Sequence, residues 1–338
     1  MRVLVPALAA STLAALVTLL AACTRHAPDG PPPGEPRREP RPAVASESLT
    51  LDAGGRPRDY VLHVPAARPG PRPLVVSLHG AGGSAQGVEH QSGWGALADR
   101  EGFVVAFPDG TGKTWNDGRA DTPSRSVKEH VDDVGFLAAL IEDVARRTPI
   151  DRQRVYVNGM SNGAFMTARF ACERADLVAA IGLVVGTIGP DVLATCRPAR
   201  PFSVISFGGT NDPLVPYAGG FVRLGIVVRG KAASFDDTTR LWVDRFGCTS
   251  PAERTLLPDR DPDDGSTARL DAYACPDGGA VHAYTLLGGG HTWPNGWQYL
   301  PRPIVGSVNR DVDATQAMWA FFTAHPAQPA TRAPGSGP

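Results

Sequence analysis

Lysine is almost missing from this chain, with three residues against thirty arginines. No basic run outside one Pro-rich stretch uses those arginines, so the imbalance reads as genome composition and not as a binding surface. Excess charge of either sign is missing too. The formal net charge is -1, which removes the bulk electrostatic argument for nucleic acid or acidic polymers. A second long apolar run is absent, which excludes a polytopic membrane protein. No two cysteines stand at C-x-x-C spacing, so metal binding through thiolates has little support and no metal or cofactor is expected. No internal repeat is visible. What remains is an ordinary globular balance of 42% hydrophobic and 20% charged residues, which excludes disorder throughout.

The one apolar run, Val3 to Ala22 after Arg2, has the layout of a signal peptide and ends Leu20-Ala21-Ala22-Cys23. That ending resembles the lipobox of bacterial lipoproteins, which implies cleavage after residue 22 and lipidation of Cys23. Residues 23–45 are crowded with proline and hold Arg37 and Arg38, the pattern of an extended tether. Residues 325–338 are rich in Pro, Ala and Gly and are expected to be a disordered tail. Between them, 46–324 reads as one catalytic domain. The expected location is exported, either secreted or held at the envelope by the lipid. Four further cysteines, Cys172, Cys196, Cys248 and Cys275, suit an oxidising compartment. Three pairings are possible; Cys172 with Cys196 and Cys248 with Cys275 are favoured because each closes a local loop.

Within the domain, Leu49–Leu51 and Tyr60–Val64 flank Gly54-Gly55 and read as a β-hairpin. Buried-type runs follow at Leu74–Leu78, Phe103–Phe107, Val155–Asn158, Ala179–Val185 and Phe202–Phe207. Helical spacing covers Val131–Arg146, Gly163–Arg174, Ser234–Phe246 and Asp313–Phe322. Strands alternating with helices predict an α/β architecture, a mostly parallel central sheet with helices on both faces.

The chemistry starts at Gly159-Met160-Ser161-Asn162-Gly163, set between a strand pattern and a helix pattern. A G-x-S-x-G turn in that context lifts the serine hydroxyl off the sheet, and the flanking glycines keep side chains out of its way. Ser161 is the candidate nucleophile. An alkyl hydroxyl needs a base, and the base needs an orienting carboxylate. His291 follows Leu286-Leu287-Gly288-Gly289-Gly290, at the opening of a loop, whereas His282 lies in a strand pattern and His325 in the tail. Asp212 lies just past the strand ending at Phe207, whereas Asp236, Asp237 and Asp244 fall on a helix face and Asp261, Asp263 and Asp264 in a polar loop. The expected triad is Ser161, Asp212 and His291. Leu78-His79-Gly80-Ala81-Gly82-Gly83 matches the HGGG-type loop that donates to an oxyanion. Ala81 and Asn162 are the expected amide donors, and His79 is read as a structural hydrogen-bonder.

Taken with Trp115-Asn116-Asp117-Gly118-Arg119, Asp132-Asp133-Val134-Gly135-Phe136, Gly209-Thr210-Asn211-Asp212-Pro213 and Gly288 to Pro294, these motifs form a set. It resembles the secreted esterases that include feruloyl esterases and polyhydroxybutyrate depolymerase-like proteins. The resemblance runs from about Leu49 to Phe322 and implies the α/β-hydrolase fold. One departure is Gly208, where that family commonly carries a histidine. Trp115, in the long loop 109–130, either stacks on substrate or fills a hollow beneath the loop. Tyr217 and Trp293 adjoin triad candidates and are open as pocket walls. Asp132 and Asp133 are read as a helix N-terminus whose carboxylates complement the dipole.

The expectation is a serine carboxylic-ester hydrolase acting on short, acetyl or hydroxycinnamoyl esters. Little chain separates the strand ending at Val185 from Asp212, so no large lid is expected there. Plant polysaccharide esters are the expected class of partner, with no nucleic acid, a membrane contact through the lipid anchor, and a monomer. Depolymerisation of hydroxyalkanoate oligomers, action on amides or as an acyltransferase, and a non-catalytic envelope-anchored binding lipoprotein are the alternatives.

Overall fold

The computed structural model describes residues 46–327 apart from 67, 68, 121 and 251. The signal peptide, Cys23, the tether and nearly all of the tail lie outside the described residues.

The domain opens with the expected hairpin, β1 (Glu47–Ala53) and β2 (Arg56–His63), paired in register from Glu47↔Leu62 to Ala53↔Arg56. Next come β3 (Arg72–Leu78), α1 (Ala85–Ser92), α2 (Trp94–Glu101), β4 (Val104–Pro108), α3 (Arg125–Lys128) and α4 (Asp133–Arg147). The middle of the chain forms β5 (Ile150–Met160), α5 (Asn162–Glu173), β6 (Ala180–Val184), α6 (Pro190–Thr195) and β7 (Ser203–Gly209). A small hairpin follows, β8 (Gly220–Leu224) with β9 (Val227–Ala232), and then α7 (Phe235–Phe246). The last elements are β10 (Glu253–Leu256), β11 (Thr267–Ala274), β12 (Ala280–Leu287), α8 (Arg302–Val305) and α9 (Ala314–Ala324).

The main sheet runs β1-β2-β4-β3-β5-β6-β7-β12-β11-β10. Strands β4, β3, β5, β6, β7 and β12 pair in parallel, and an antiparallel hairpin closes each edge. Because successive side chains of a strand point to opposite faces, continuous apolar runs feed two cores at once. Leu74, Val76 and Leu78 of β3 enter one core with Phe136, Leu140 and Phe170 of α4 and α5. Val75, between them, enters the other with Trp94, Leu97 and Phe322 of α2 and α9. Helices therefore cover both faces. The parallel strands deliver their carboxyl ends to one edge, where a chain leaving a strand turns toward solvent.

Sequence spacing missed α1, α2 and the β8–β9 hairpin. Gly87 and Gly95 blur the periodicity of the two helices, which meet at Gly93 in a left-handed turn (φ 68°). The hairpin is exposed along most of its length, so no alternation marks it.

Candidate active site

Ser161 stands between the end of β5 and the start of α5 with φ 55° and ψ −121°. For a non-glycine residue that is a strained backbone state, held only where surrounding structure enforces it. The enforcement is visible. Ser161 donates its N–H to the Val184 carbonyl at 2.9 Å, while its own carbonyl accepts from Ala164 and Phe165. A side chain at Gly159 would run into the Gly163 backbone, and one at Gly163 would come within 2.5 Å of the Leu78 carbonyl. The serine side chain does not cap its own helix.

Two strands along the edge, the chain leaving β7 turns at Asp212, and one strand further the chain leaving β12 turns at His291. The two meet: His291 Nδ1 lies 2.7 Å from Asp212 Oδ2, both side chains almost wholly buried. A carboxylate only accepts, so Nδ1 donates and Nε2 is left as the basic nitrogen. The other carboxylate oxygen accepts from the Leu214 and Val215 amides at 2.8 and 2.9 Å. The Asp212 and His291 loops are also laced to each other, Thr210 N to Leu286 O at 3.0 Å and Asn211 N to Gly289 O at 3.0 Å. A side chain at Gly209 or Gly290 would collide with backbone, which accounts for glycine there. Tyr299 donates its hydroxyl to the His291 carbonyl at 3.1 Å, an anchor that sequence reading did not single out.

The loop at Gly80 crosses directly over the serine, since a Cβ on Gly80 would sit 3.3 Å from Ser161 Cβ. Its shape is set by Gly82 N to Lys113 O at 2.8 Å and Gly83 N to Gly80 O at 3.0 Å. Ala81 lies between them at the exposed rim. Asn162 opens α5, where the first N–H groups of a helix have no acceptor within it. His79 is buried; Nδ1 donates to Gly80 O at 2.7 Å and Nε2 accepts from Gly110 N at 3.0 Å. Burial lowers its pKa, so this ring is a neutral structural link.

The long loop does something more specific than lining a site. Trp115 is fully buried, its indole N–H bonded to the His79 carbonyl at 2.9 Å, so it offers no face to a ligand and fills the hollow beneath the loop. Asn162 receives the Trp115 amide at 2.8 Å and donates to Asp117 at 2.6 Å. Asp117 in turn holds Arg119 at 2.6 Å, and that guanidinium lies 3.9 Å over the Phe165 ring. The Trp-Asn-Asp-Gly-Arg run is thus a buried clamp on the first turn of α5. Trp293 is likewise buried, its indole bonded to Thr315 at 2.9 Å. Tyr217 remains half-exposed, bonded to Asp236 and Thr285, with burial as the first cause pushing its hydroxyl up to about 12.

Asp132 caps α4 through Gly135 N at 2.8 Å as a helix-terminal carboxylate should. Asp133, in the first turn of the same helix, is in addition buried and paired with Arg58 at 2.7 Å, and burial raises its pKa. At Gly208, the Phe235 ring fills the space a side chain would need. Cys172 bonds Cys196 and Cys248 bonds Cys275, the local pairing. Among the described residues no group of three or more His, Cys, Asp and Glu is gathered to hold a metal ion.

With that geometry in view, comparison with known proteins is informative. The esterase PHB depolymerase family model matches residues 59–215, which span the loop at Gly80, Ser161 and Asp212. NocK of Nocardia uniformis subsp. tsuyamanensis, which bears the name of an esterase, is 33% identical over 92% of this chain and 96% of its own. The chain belongs to the esterase PHB depolymerase family. This esterase is also 30% identical to feruloyl esterase B of Piromyces equi over 68% of its length, although it spans only 41% of that relative. Its fold matches the acetyl xylan esterase of Aspergillus awamori with a TM-score of 0.58, covering 83% of this chain and 100% of that one at 16% identity. The α/β-hydrolase fold is therefore the scaffold, and the protein is a carboxylic-ester hydrolase.

Proposed function

We propose that this esterase works through a serine acyl-enzyme, with Ser161 as nucleophile, His291 as base and Asp212 as the orienting acid. His291 Nε2 takes the hydroxyl proton as Ser161 Oγ attacks the ester carbonyl. The developing oxyanion is met by the Ala81 and Asn162 amides, each worth about two to three powers of ten in rate for a donor of this kind. His291 then protonates the departing alcohol, activates water, and deacylation returns the enzyme. The observations that carry the reading are the buried 2.7 Å pair of His291 with Asp212 and a serine held in a strained turn at the end of β5, in the same parallel sheet.

Acetyl and hydroxycinnamoyl esters of plant polysaccharide are the proposed substrates. The names of the fungal relatives favour them, and the short α6 is the one helix between β6 and Asp212. Hydroxyalkanoate oligomers are the second reading, favoured by the family's own description. Export, with lipidation at Cys23 and a Pro-rich tether, is part of the proposal, and the two disulfides support an oxidising compartment. No helix among the described residues is long and apolar enough to cross a membrane.

The test is hydrolysis of a p-nitrophenyl ester series, methyl ferulate and 3-hydroxybutyrate dimers by the wild type and by Ser161→Ala. Wild-type turnover and a loss of about 10⁴-fold or more in the variant are expected. Equal rates for the two proteins would overturn the reading and bring forward the non-catalytic lipoprotein. The ratio of ferulate to hydroxybutyrate turnover chooses between the two substrates.

A further inference from the structure

Just beyond His291 the chain builds a second concavity, distinct from the triad. A cavity of about 290 Å³ is walled by residues 293–297 of the base loop, by the end of α1 and by the start of α9. Its size is at the small end of ligand pockets, the scale of one or two small rings. Trp297 stands at its rim with 59% of its surface exposed, more than any other tryptophan among the described residues. The exposed ring is not loose, because His90 meets it edge-on with centroids 5.5 Å apart. The walls carry planar polar groups. Asn295 bonds Asp313 at 3.1 Å, so its amide plane is set. Arg100 of α2 and Asp313 at the start of α9 also line the cavity.

Amide and carboxylate groups along the wall ask for a ligand that brings hydroxyls. A flat, braced indole at the mouth asks for a ligand with an apolar face. Sugars meet both demands, since the C–H face of a pyranose covers an aromatic ring while its equatorial hydroxyls reach amides and carboxylates at the edge. A purely apolar ligand would make no use of the Asn295 amide and the Asp313 carboxylate along the wall.

We infer that this cavity is a carbohydrate subsite, with Trp297 as the stacking platform and the Asn295 amide and Asp313 carboxylate of its wall as the groups that meet sugar hydroxyls. Its occupant is a neutral sugar unit of the polysaccharide whose ester is cleaved at Ser161. The placement suits that role. The chain that leaves His291 forms one wall of the cavity, so the two share the same loop. The inference deepens the esterase reading and rests on it for the identity of the polymer.

The experiment titrates full-length Ser161→Ala protein with xylotetraose and with cellotetraose, following tryptophan fluorescence and calorimetry. Saturable binding of at least one tetrasaccharide is expected. Affinity should fall at least tenfold in Ser161→Ala/Trp297→Ala, and by less in Ser161→Ala/Trp297→Phe, which keeps a ring. Ile226→Ser, on the β8–β9 hairpin, should leave binding unchanged. Equal melting temperatures across the variants separate lost binding from lost folding. A flat titration with both sugars, or equal affinity with and without the Trp297 ring, overturns the subsite. The esterase reading is tested separately by p-nitrophenyl acetate turnover in wild type against Ser161→Ala.

Discussion

At the scale of single residues, the site depends on two that sit in unusual states for opposite reasons. Ser161 holds positive φ because the Val184 carbonyl and two glycines leave it no other path, a strain of about 1–3 kcal/mol met by the packed elements around it. Val185, the residue after β6, also has positive φ (42°) although it is β-branched, and the next residue, Gly186, packs against the Ser161 carbonyl. Asp212 is in an ordinary backbone state but an unusual side-chain one, accepting two amides and an imidazole N–H. Asp212→Asn keeps the size and loses the preference for an Nδ1 donor, so the ring can present the wrong tautomer. The expected result is a fall of about 10⁴-fold in kcat with the fold retained. A loss below tenfold in a p-nitrophenyl acetate assay would mean that another group orients His291.

Among elements, the decisive one is the loop between β4 and α4, which behaves as a structural strap. Asp117 is completely buried and is the acceptor shared by Arg119 and Asn162. Asp117→Ala would leave a buried guanidinium unpaired, so a cost of about 3–5 kcal/mol is expected in urea unfolding. Asn162 would also lose the bond that fixes its side chain, and kcat should drop with it. Unchanged stability would show that Arg119 finds water instead. The β8–β9 hairpin makes the contrasting case. Ile226 at its tip is 97% exposed, so Ile226→Ser should shift stability by no more than about 0.5 kcal/mol. A larger loss would reveal that the tip is covered in solution.

For the molecule as a whole, stability is drawn from two cores, two disulfides and a set of buried ionisable groups. The disulfides close loops of 24 and 27 residues, each worth about 3 kcal/mol in the chain-entropy account. Reduction should therefore lower the melting temperature by something on the order of 10 °C, read by calorimetry with and without reductant. Acid sensitivity has a separate source. His282 on β12 is pushed down to about 4, first by burial and then by His325. Its ordinary value lies near 6.5, so between these limits the unfolded chain binds the proton and the folded one does not. Stability is then full above about pH 6.5 and is lost as pH falls toward 4. His282→Phe should flatten that part of the stability curve, and an unchanged slope would assign the acid response to other groups.

The parts written in local pattern were legible before any coordinates. Strand and helix order and the glycine-flanked serine between a strand and a helix depend on short spacings that a few residues carry. The pairing of cysteines was legible for the same reason, each bond closing a short loop. Tertiary structure alone decided what the large aromatics do. Trp115 and Trp293 look alike in sequence to ligand-binding residues, and only packing shows that their rings are buried and their N–H groups spent on His79 and Thr315. It also separated Asp132 from Asp133, neighbours of identical type, by turning one to a helix cap and the other into a buried ion pair. Sequence specifies which groups are present and how they recur, whereas burial is set by which distant segments come to lie over them.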